Sequence, residues 1–170
     1  NGDGAPDEES VTPVILDELP ILGAAKRLSS SPSNNGDGSY DLSYELRVEN
    51  FGDVSLGNLQ VTEDLGNAFG AAESWTLLSV QSADFTVNTN FDGITDVNLL
   101  TGLDTLNAGN VGAVSIVLRV VPGSQLTGYN NQVTASATSP GGILIVDESV
   151  NGSDPDPDNN GNPNEESPTP

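Results

Sequence analysis

The sequence contains no cysteine, no histidine and no methionine, and only four basic residues against 25 acidic ones. Without histidine and cysteine the chain offers no imidazole base, no thiol nucleophile and none of the usual ligands of structural zinc. Disulfides cannot hold the fold together. The formal net charge of −21 at pH 7 repels nucleic-acid phosphates and anionic lipid, so we expect neither as a partner.

Long apolar runs are also missing. No stretch approaches the roughly 20 apolar residues that span a bilayer, and no basic segment precedes an apolar one, so the sequence predicts no membrane insertion by this segment. Leucine, isoleucine, valine and phenylalanine are nevertheless frequent enough to form a core. The length of 170 residues fits one domain with tails.

The two ends of the sequence repeat each other. The string DGAPDEESVTP begins at Asp3, the string NGNPNEESPTP ends at Pro170, and their Gly, Pro, Glu-Glu-Ser and Thr-Pro residues match in register. This pattern predicts one period of a tandem array, with adjacent repeats of the same chain as partners. Residues 151–170 hold no aliphatic or aromatic side chain and are rich in proline and asparagine. We therefore predict an extended acidic linker there and a second one at residues 1–13.

Between these linkers, at residues 14–150, the hydrophobic pattern is that of β-strands. Apolar and polar residues alternate from Ser39 to Glu49, which is the period of a strand with one exposed face. The same period recurs at residues 114–120 and 133–137, and shorter candidate strands lie at residues 22–28, 59–65, 75–80, 85–87 and 143–146. Seven to nine short strands separated by turn residues predict an all-β, immunoglobulin-like Greek-key sandwich.

One loop carries the spacing of a calcium-binding loop. Oxygen-bearing side chains occupy positions 1, 3, 5 and 9 of residues 88–96, with glycine at position 6. The ligands would be the side chains of Asn88, Asn90, Asp92 and Asp96 and the carbonyl of Ile94. Position 1 lacks a carboxylate and position 12 lacks glutamate, so the charge of such a site would be low. The alternative is a loop whose Asn and Asp side chains bond their own backbone.

The C-terminal linker repeats this spacing with more acidic residues. Its candidate ligands are Asp154, Asp156, Asp158, Asn160, Asn164 and Glu165. Carboxylates this close repel one another unless a cation neutralises them, so we predict bound Ca²⁺, with a solvated acidic spacer as the alternative. A third near-match, at residues 33–41, is better explained as a β-hairpin.

Lys26 is the only lysine, and it shares the strand parity of Leu22 and Leu28. This parity points it toward the core, where an ammonium is costly unless it is paired or consumed. Asn131 and Glu63 have inward parity in their own segments. A lysine, an asparagine and an acid form intramolecular isopeptide bonds inside some Ig-like domains of bacterial surface proteins, because an uncharged amine attacks the amide carbon while the acid moves protons.

The alternative places Lys26 at a sheet edge, with its stem on apolar surface and its head in water. A single β-bulge reverses strand parity, so the sequence alone favours this second interpretation.

No motif supports an enzyme that acts on a foreign substrate, because pairs of carboxylates carry no signal in a chain with 25 acids. Phe69, Trp75 and Tyr129 could form a sugar-stacking patch, although aromatic side chains in a core are the expected arrangement.

Several strings resemble the bacterial surface-repeat family known as domain of unknown function eleven. They are NNGDGSYDLSYELRVENFGDVSLGNLQVTEDL, NFDGITDVNLLTGLDTLNAGN, YNNQVTASATSPGG and GSDPDPDNNGNPNEESPTP. The resemblance implies Ig-like sandwiches strung in tandem through large secreted or cell-surface proteins of bacteria, commonly adhesin-like, and it names no activity.

These observations together predict a structural tandem repeat of a bacterial extracellular filament or adhesin stalk. Calcium would rigidify it, and identical chains could associate laterally in the filament. The alternative function is a ligand-binding adhesin module that recognises a glycan or a protein.

Overall fold

The computed structural model describes Val14, residues 16–124 and residues 128–170. The linker predicted at residues 1–13 lies outside the described residues. The described part contains ten strands and one short helix. In chain order they are β1 (Leu22–Leu28), β2 (Ser33–Asn34), β3 (Tyr40–Asn50), β4 (Leu56–Glu63), α1 (Leu65–Ala68), β5 (Ser74–Gln81), β6 (Asp104–Leu106), β7 (Val111–Val121), β8 (Val133–Thr138), β9 (Leu144–Glu148) and β10 (Val150–Asn151).

The strands form two sheets, which confirms the predicted all-β, Ig-like sandwich. The first sheet has the order β10-β1-β3-β7-β5, with β2 paired to β3, and the second has the order β6-β4-β8-β9. The strand count exceeds the predicted seven to nine because β2 and β10 have two residues each, too few to give a hydrophobic period.

The core lies between the sheets and follows the predicted alternation. In β3 the buried side chains are those of every second residue from Leu42 to Asn50. Ile116 and Leu118 of β7 supply the same layer, and Val61 and Ala135 face them from the second sheet with no exposed surface. Burial of this apolar area is the main driving force for the fold.

Three further segments differ from the sequence prediction, and one is β6, a three-residue strand that was not predicted. Residues 85–87 are not a strand: Val87 forms an isolated bridge with Leu100, while the backbone N–H of Thr86 donates to Asp104 Oδ2 at 2.8 Å. The helix α1 was not predicted because one turn carries no helical period. The Asp64 side chain caps it by accepting from Asn67 N. No helix in the described ranges is long and apolar enough to cross a membrane.

Residues 150–170, which we call the C-terminal strap, pack against the first sheet. β10 runs parallel to β1, with Val150 opposite Ala25. Pro163 lies on the backbone of Gly23, where an added Cβ would come within 2.8 Å of the proline Cβ. The segment predicted as an extended linker is therefore docked. It lacks large apolar side chains but uses backbone hydrogen bonds and buried prolines instead. Its role as a connection between repeats stays a prediction.

Candidate functional site between the two sheets

Three polar side chains meet in the interior of the sandwich. Lys26 comes from β1 in the first sheet, whereas Glu63 ends β4 and Asn131 precedes β8 in the second. Lys26 and Glu63 have no exposed surface, and Asn131 is 1% exposed. We call these three residues the sealed centre. The interpretation that places Lys26 at a sheet edge is wrong, because β3 and β10 flank β1 on both sides.

The register of the strands explains how these residues meet. Glu63 lies opposite Val133 in the antiparallel pair of β4 and β8. Asn131 is two residues before Val133, so it lies just beyond Glu63 at the same end of that pair, on the same face of the strand as Val133. Lys26 is paired with Leu46, and it points inward as its parity predicts. The sealed centre thus joins the two layers of the sandwich.

The contacts of the sealed centre are incomplete. Lys26 Nζ donates to Glu63 Oε2 and lies 4.8 Å from the centroid of the Tyr44 ring. Glu63 Oε1 and both amide atoms of Asn131 are buried and make no hydrogen bond of ordinary geometry among the described residues, although the Asn131 amide lies close enough to Glu63 and Tyr44 to lower the pKa of each. Buried polar atoms without partners are rare in folded proteins and cost stability, so an arrangement that holds three of them calls for a chemical explanation.

Burial shifts the proton equilibrium of the ion pair toward its uncharged forms. Loss of water lowers the pKa of Lys26, against the opposing effect of the Glu63 carboxylate. Loss of water likewise raises the pKa of Glu63, against the opposing effects of Lys26 and Asn131. Burial, and next the charge of Glu63, also raises the pKa of Tyr44 to about 12. An uncharged amine, a carboxylic acid and a carboxamide in one dry site are the reactants of amide exchange.

In the loop at residues 88–96 the side chains bond their own backbone. Asp92 Oδ1 accepts from the N–H groups of Ile94, Thr95 and Asp96 at 2.8 to 2.9 Å. The Thr95 hydroxyl and these N–H groups hold the pKa of Asp92 well below its usual range. Asn88 Oδ1 accepts from Asn90 N at 3.0 Å. This geometry favours the alternative to calcium at this loop, and calcium binding there stays a prediction.

The strap gathers the acidic residues that the sequence singled out. One carboxylate oxygen from each of Asp156, Asp158 and Glu165 lies within 4.8 Å of the other two, so this cluster could hold a metal ion. Asp156 is buried, and its Oδ2 accepts from Gly161 N at 2.8 Å. The other candidates make local contacts: the Asp154 and Asn160 side-chain oxygens accept from backbone N–H groups, and Asn164 N donates to Oε2 of Glu165 in the cluster.

The remaining sequence candidates have structural roles. Residues 33–41 form the predicted hairpin, in which Ser33 pairs with Asp41. Phe69 is fully buried and stacks at 5.3 Å between ring centroids on Tyr129, while Trp75 packs against the core. Because Phe69 has no exposed surface, these three aromatic side chains do not form a sugar-binding face.

Sequence reasoning missed one buried acid. Asp147 of β9 is 9% exposed, and its Oδ2 accepts from the backbone N–H of Ala24 at 2.7 Å. Burial raises the pKa of Asp147 to about 7, and the charges of Glu166, Glu148 and Glu165 act in the same direction. The sequence held no signal for this, because Asp147 follows a short apolar run and resembles the other surface acids.

Comparison with known proteins supports the fold. The chain is similar to the full-length major pilin SpaD from Corynebacterium diphtheriae, with 13% identity and a TM-score of 0.50, over 76% of this chain and 33% of the pilin. It is also similar to BcpA, the major pilin subunit of Bacillus cereus, with 14% identity and a TM-score of 0.47, over 77% of this chain and 38% of that one. The chain thus spans about a third of the length of these pilins.

No protein-family model and no curated protein matches the chain. The resemblance to the surface-repeat family therefore stays a prediction. At these low identities the structural similarity identifies the β-sandwich fold and nothing finer.

Proposed function

We propose that the chain is a structural module of a bacterial extracellular filament or adhesin stalk, and that it locks its own two sheets together with an amide bond between Lys26 and Asn131. The observation that carries this proposal is the sealed centre. Its reactive groups are buried, so no foreign substrate reaches them and their chemistry can act only on the chain itself. This argues for a module that builds a structure and against an enzyme.

The reaction needs no cofactor and no oxidant. The uncharged Nζ of Lys26 donates its electron pair to Cγ of Asn131, and Glu63 as the acid donates a proton to the amide oxygen. Glu63 then takes a proton from Nζ and delivers it to the amide nitrogen, Nδ2. The Cγ–Nδ2 bond breaks, ammonia leaves, and the proton on the former amide oxygen returns to Glu63, so the products are a secondary amide, ammonia and the carboxylic acid of Glu63. The bond formed replaces the bond broken, so atoms and electrons balance.

The position of this bond suits a module under tension. It would join β1 of the first sheet to the residue that leads into β8 of the second. The strands from β2 to β7 lie between the two linked residues, so a pull on the ends of the chain would bypass them. A cross-link that closes a loop of about 100 residues stabilises a fold by about 4 to 5 kcal/mol, chiefly by restricting the unfolded chain.

Calcium at the strap is the second part of the proposal. A hard cation with oxygen ligands suits the cluster of Asp156, Asp158 and Glu165, and binding would offset their mutual repulsion. In an array of tandem repeats the strap would stand at each junction, so calcium there would stiffen the array. Lateral contacts between identical, strongly acidic chains would depend on cations for the same reason.

The mass of the intact protein tests the cross-link. Loss of one ammonia lowers the mass by about 17 Da. We expect the unaltered chain to show this deficit, and Asn131→Ala and Glu63→Gln to have their full calculated masses. A full mass for the unaltered chain would refute the cross-link.

Asn131→Asp is the matched variant. It can form the same amide by losing water, about 18 Da, so its cross-linked product would have the same mass as that of the unaltered chain. Fragment spectra should place the linkage between Lys26 and residue 131 in both proteins. A deficit that maps elsewhere, such as to a succinimide formed by cyclisation at an Asn-Gly sequence, would contradict the assignment.

A further inference from the structure

The C-terminal strap touches both residues of the proposed bond. The carbonyl oxygen of Lys26 accepts from the backbone N–H of Gly152 at 2.9 Å and from the hydroxyl of Thr169 at 2.7 Å. Both donors belong to the strap. The backbone of β1 at the reacting lysine is therefore held on one side by this segment.

Asn131 is held by the same strap residue. Its backbone N–H donates to the carbonyl of Thr169 at 2.8 Å, and its carbonyl accepts from the N–H of Thr169 at 2.9 Å. Asn131 precedes the first residue of β8, so it lies outside the regular ladder that aligns β8 with β4. Thr169 is 2% exposed, and it hydrogen-bonds to both Lys26 and Asn131.

We infer that the strap completes the cross-linking centre: Thr169 positions Lys26 against Asn131, and docking of the strap excludes water from them. This inference rests on the proposed cross-link and assigns its regulation. Thr169 is a positioning residue, because it acts on the reacting side chains through their backbones. A misplacement of about 1 Å in such a pair is enough to slow a reaction by about a hundredfold.

A consequence for the order of events follows from the sequence separation. Thr169 lies 143 positions after Lys26, near the end of the described chain. The amine would thus meet a correctly placed, dry amide only after the strap has docked on a folded sandwich. An unfolded or half-folded chain keeps a hydrated and protonated lysine, which is not nucleophilic. The bond would therefore form after folding is complete, and only the native arrangement would become cross-linked.

Cell-free synthesis with acid-quenched time points and intact-mass measurement tests this order. Thr169→Val removes the hydroxyl donor with little change of shape, and we expect the 17 Da loss to be about fivefold slower, the effect of one hydrogen bond. Thr169→Pro also removes the N–H that Asn131 requires, and we expect at least a tenfold slower loss. Thr169→Ser keeps the hydroxyl and should react close to the rate of the unaltered chain.

Ser167→Ala is the matched control in the same segment. Ser167 Oγ accepts from Asn151 N, and no hydrogen bond between its side chain and either reacting residue is present in the described structure. Its rate should stay within about twofold of the unaltered chain. Equal rates for Thr169→Pro and the unaltered chain would overturn the inference and leave the cross-link standing. A full mass in the unaltered chain would refute both.

A second measurement does not depend on bond formation. Lys26 is the only lysine, so acetylation by an amine reagent, separated from the N-terminus by peptide mapping, reports its exposure. In the Asn131→Ala background, which cannot cross-link, Lys26 should be protected while the strap is docked. Adding Thr169→Pro should raise the acetylation rate at least tenfold. Equal protection of Lys26 in the two proteins would show that the strap does not seal the site. This result would hold even if slow folding of the Thr169→Pro variant set its rate of ammonia loss in the mass experiment.

Discussion

The sealed centre and the acidic cluster of the strap gather ionisable groups in opposite surroundings. Lys26 and Glu63 have no contact with water, so the protein interior decides their protonation and favours the uncharged forms. In the cluster, Asp158 is exposed and Glu165 half-buried, so ions in solution can offset the charge. The first arrangement suits a permanent covalent change, and the second suits reversible binding.

The strap connects these two regions. Its last residues reach the sealed centre through Thr169, and its middle carries the carboxylates of Asp156 and Glu165. If burial is the cause of this difference between the two regions, substitutions at the sealed centre should change the stability of the protein strongly and independently of calcium. Substitutions at the acidic cluster should have a smaller effect on stability, and this effect should disappear when a chelator removes calcium.

The largest effect is expected from breaking the buried pair in a chain that cannot cross-link. In the Asn131→Ala background, Glu63→Ala leaves the Lys26 amine buried without its partner, and we expect a loss of about 3 to 5 kcal/mol in the free energy of unfolding. Equilibrium unfolding in urea measures this difference.

The matched control replaces both partners in the same background. Lys26→Met combined with Glu63→Leu removes the pair without leaving a lone charge, and such replacements are often neutral or stabilising. If Glu63→Ala alone were no worse than the double replacement, the pair would not be electrostatically coupled in the interior.

An intermediate effect is expected from calcium. At a free calcium concentration 100 times the dissociation constant, binding to the native state alone adds about 2.7 kcal/mol. We expect the melting temperature to rise with calcium, and Asp156→Asn to abolish that rise. Asp92→Asn is the control, because the Asp92 carboxylate bonds its own loop, so this variant should melt lower with and without calcium. An undiminished calcium effect in Asp156→Asn would exclude the strap site.

The two predicted calcium segments show what a spacing pattern can establish. The pattern identifies oxygen-bearing side chains in a tight loop, but both an ion and the backbone N–H groups of the loop satisfy those oxygens. At Asp92 the backbone N–H groups occupy them, and Gly93, with a φ of 69°, permits the turn that brings these groups round. At Asp156 the backbone N–H groups of Asn160 and Gly161 bond the carboxylate as well, but the chain also brings two more carboxylates close. The spacing pattern alone does not distinguish these two arrangements.

The strands were predictable where one face is buried and the other exposed, as in β3 and β7. The parity that pointed Lys26 inward was informative as well, but a one-residue bulge would have reversed it. The contact of β10 with β1, which makes β1 an interior strand, comes from a two-residue parallel pair. No local pattern encodes that pair, so neither the burial of Lys26 nor the role of Thr169 could be derived from the sequence.

Asp147 is more exposed than Lys26 and Glu63 but less exposed than Asp158. We expect its titration to have the smallest of these effects on stability. Its pKa rises from 3.8 in an unfolded chain to about 7 in the native state, so the native state binds the proton more tightly. Its contribution to stability is then greatest at low pH and is lost as the pH rises through 7. We expect a loss of about 1.4 kcal/mol between pH 6 and pH 8, measured by unfolding in chelator to keep cations from the acidic cluster.

Asp147→Asn separates this contribution from the general repulsion among the other acids. Its side-chain oxygen can still accept from Ala24 N, so the link between β1 and β9 is kept while the titration is removed. The pH dependence of this variant should be flatter than that of the unaltered chain by the amount assigned to Asp147. An equally steep profile would mean that the Asp147 carboxylate is as well solvated as that of the exposed Asp158, and that burial does not control the titration of Asp147.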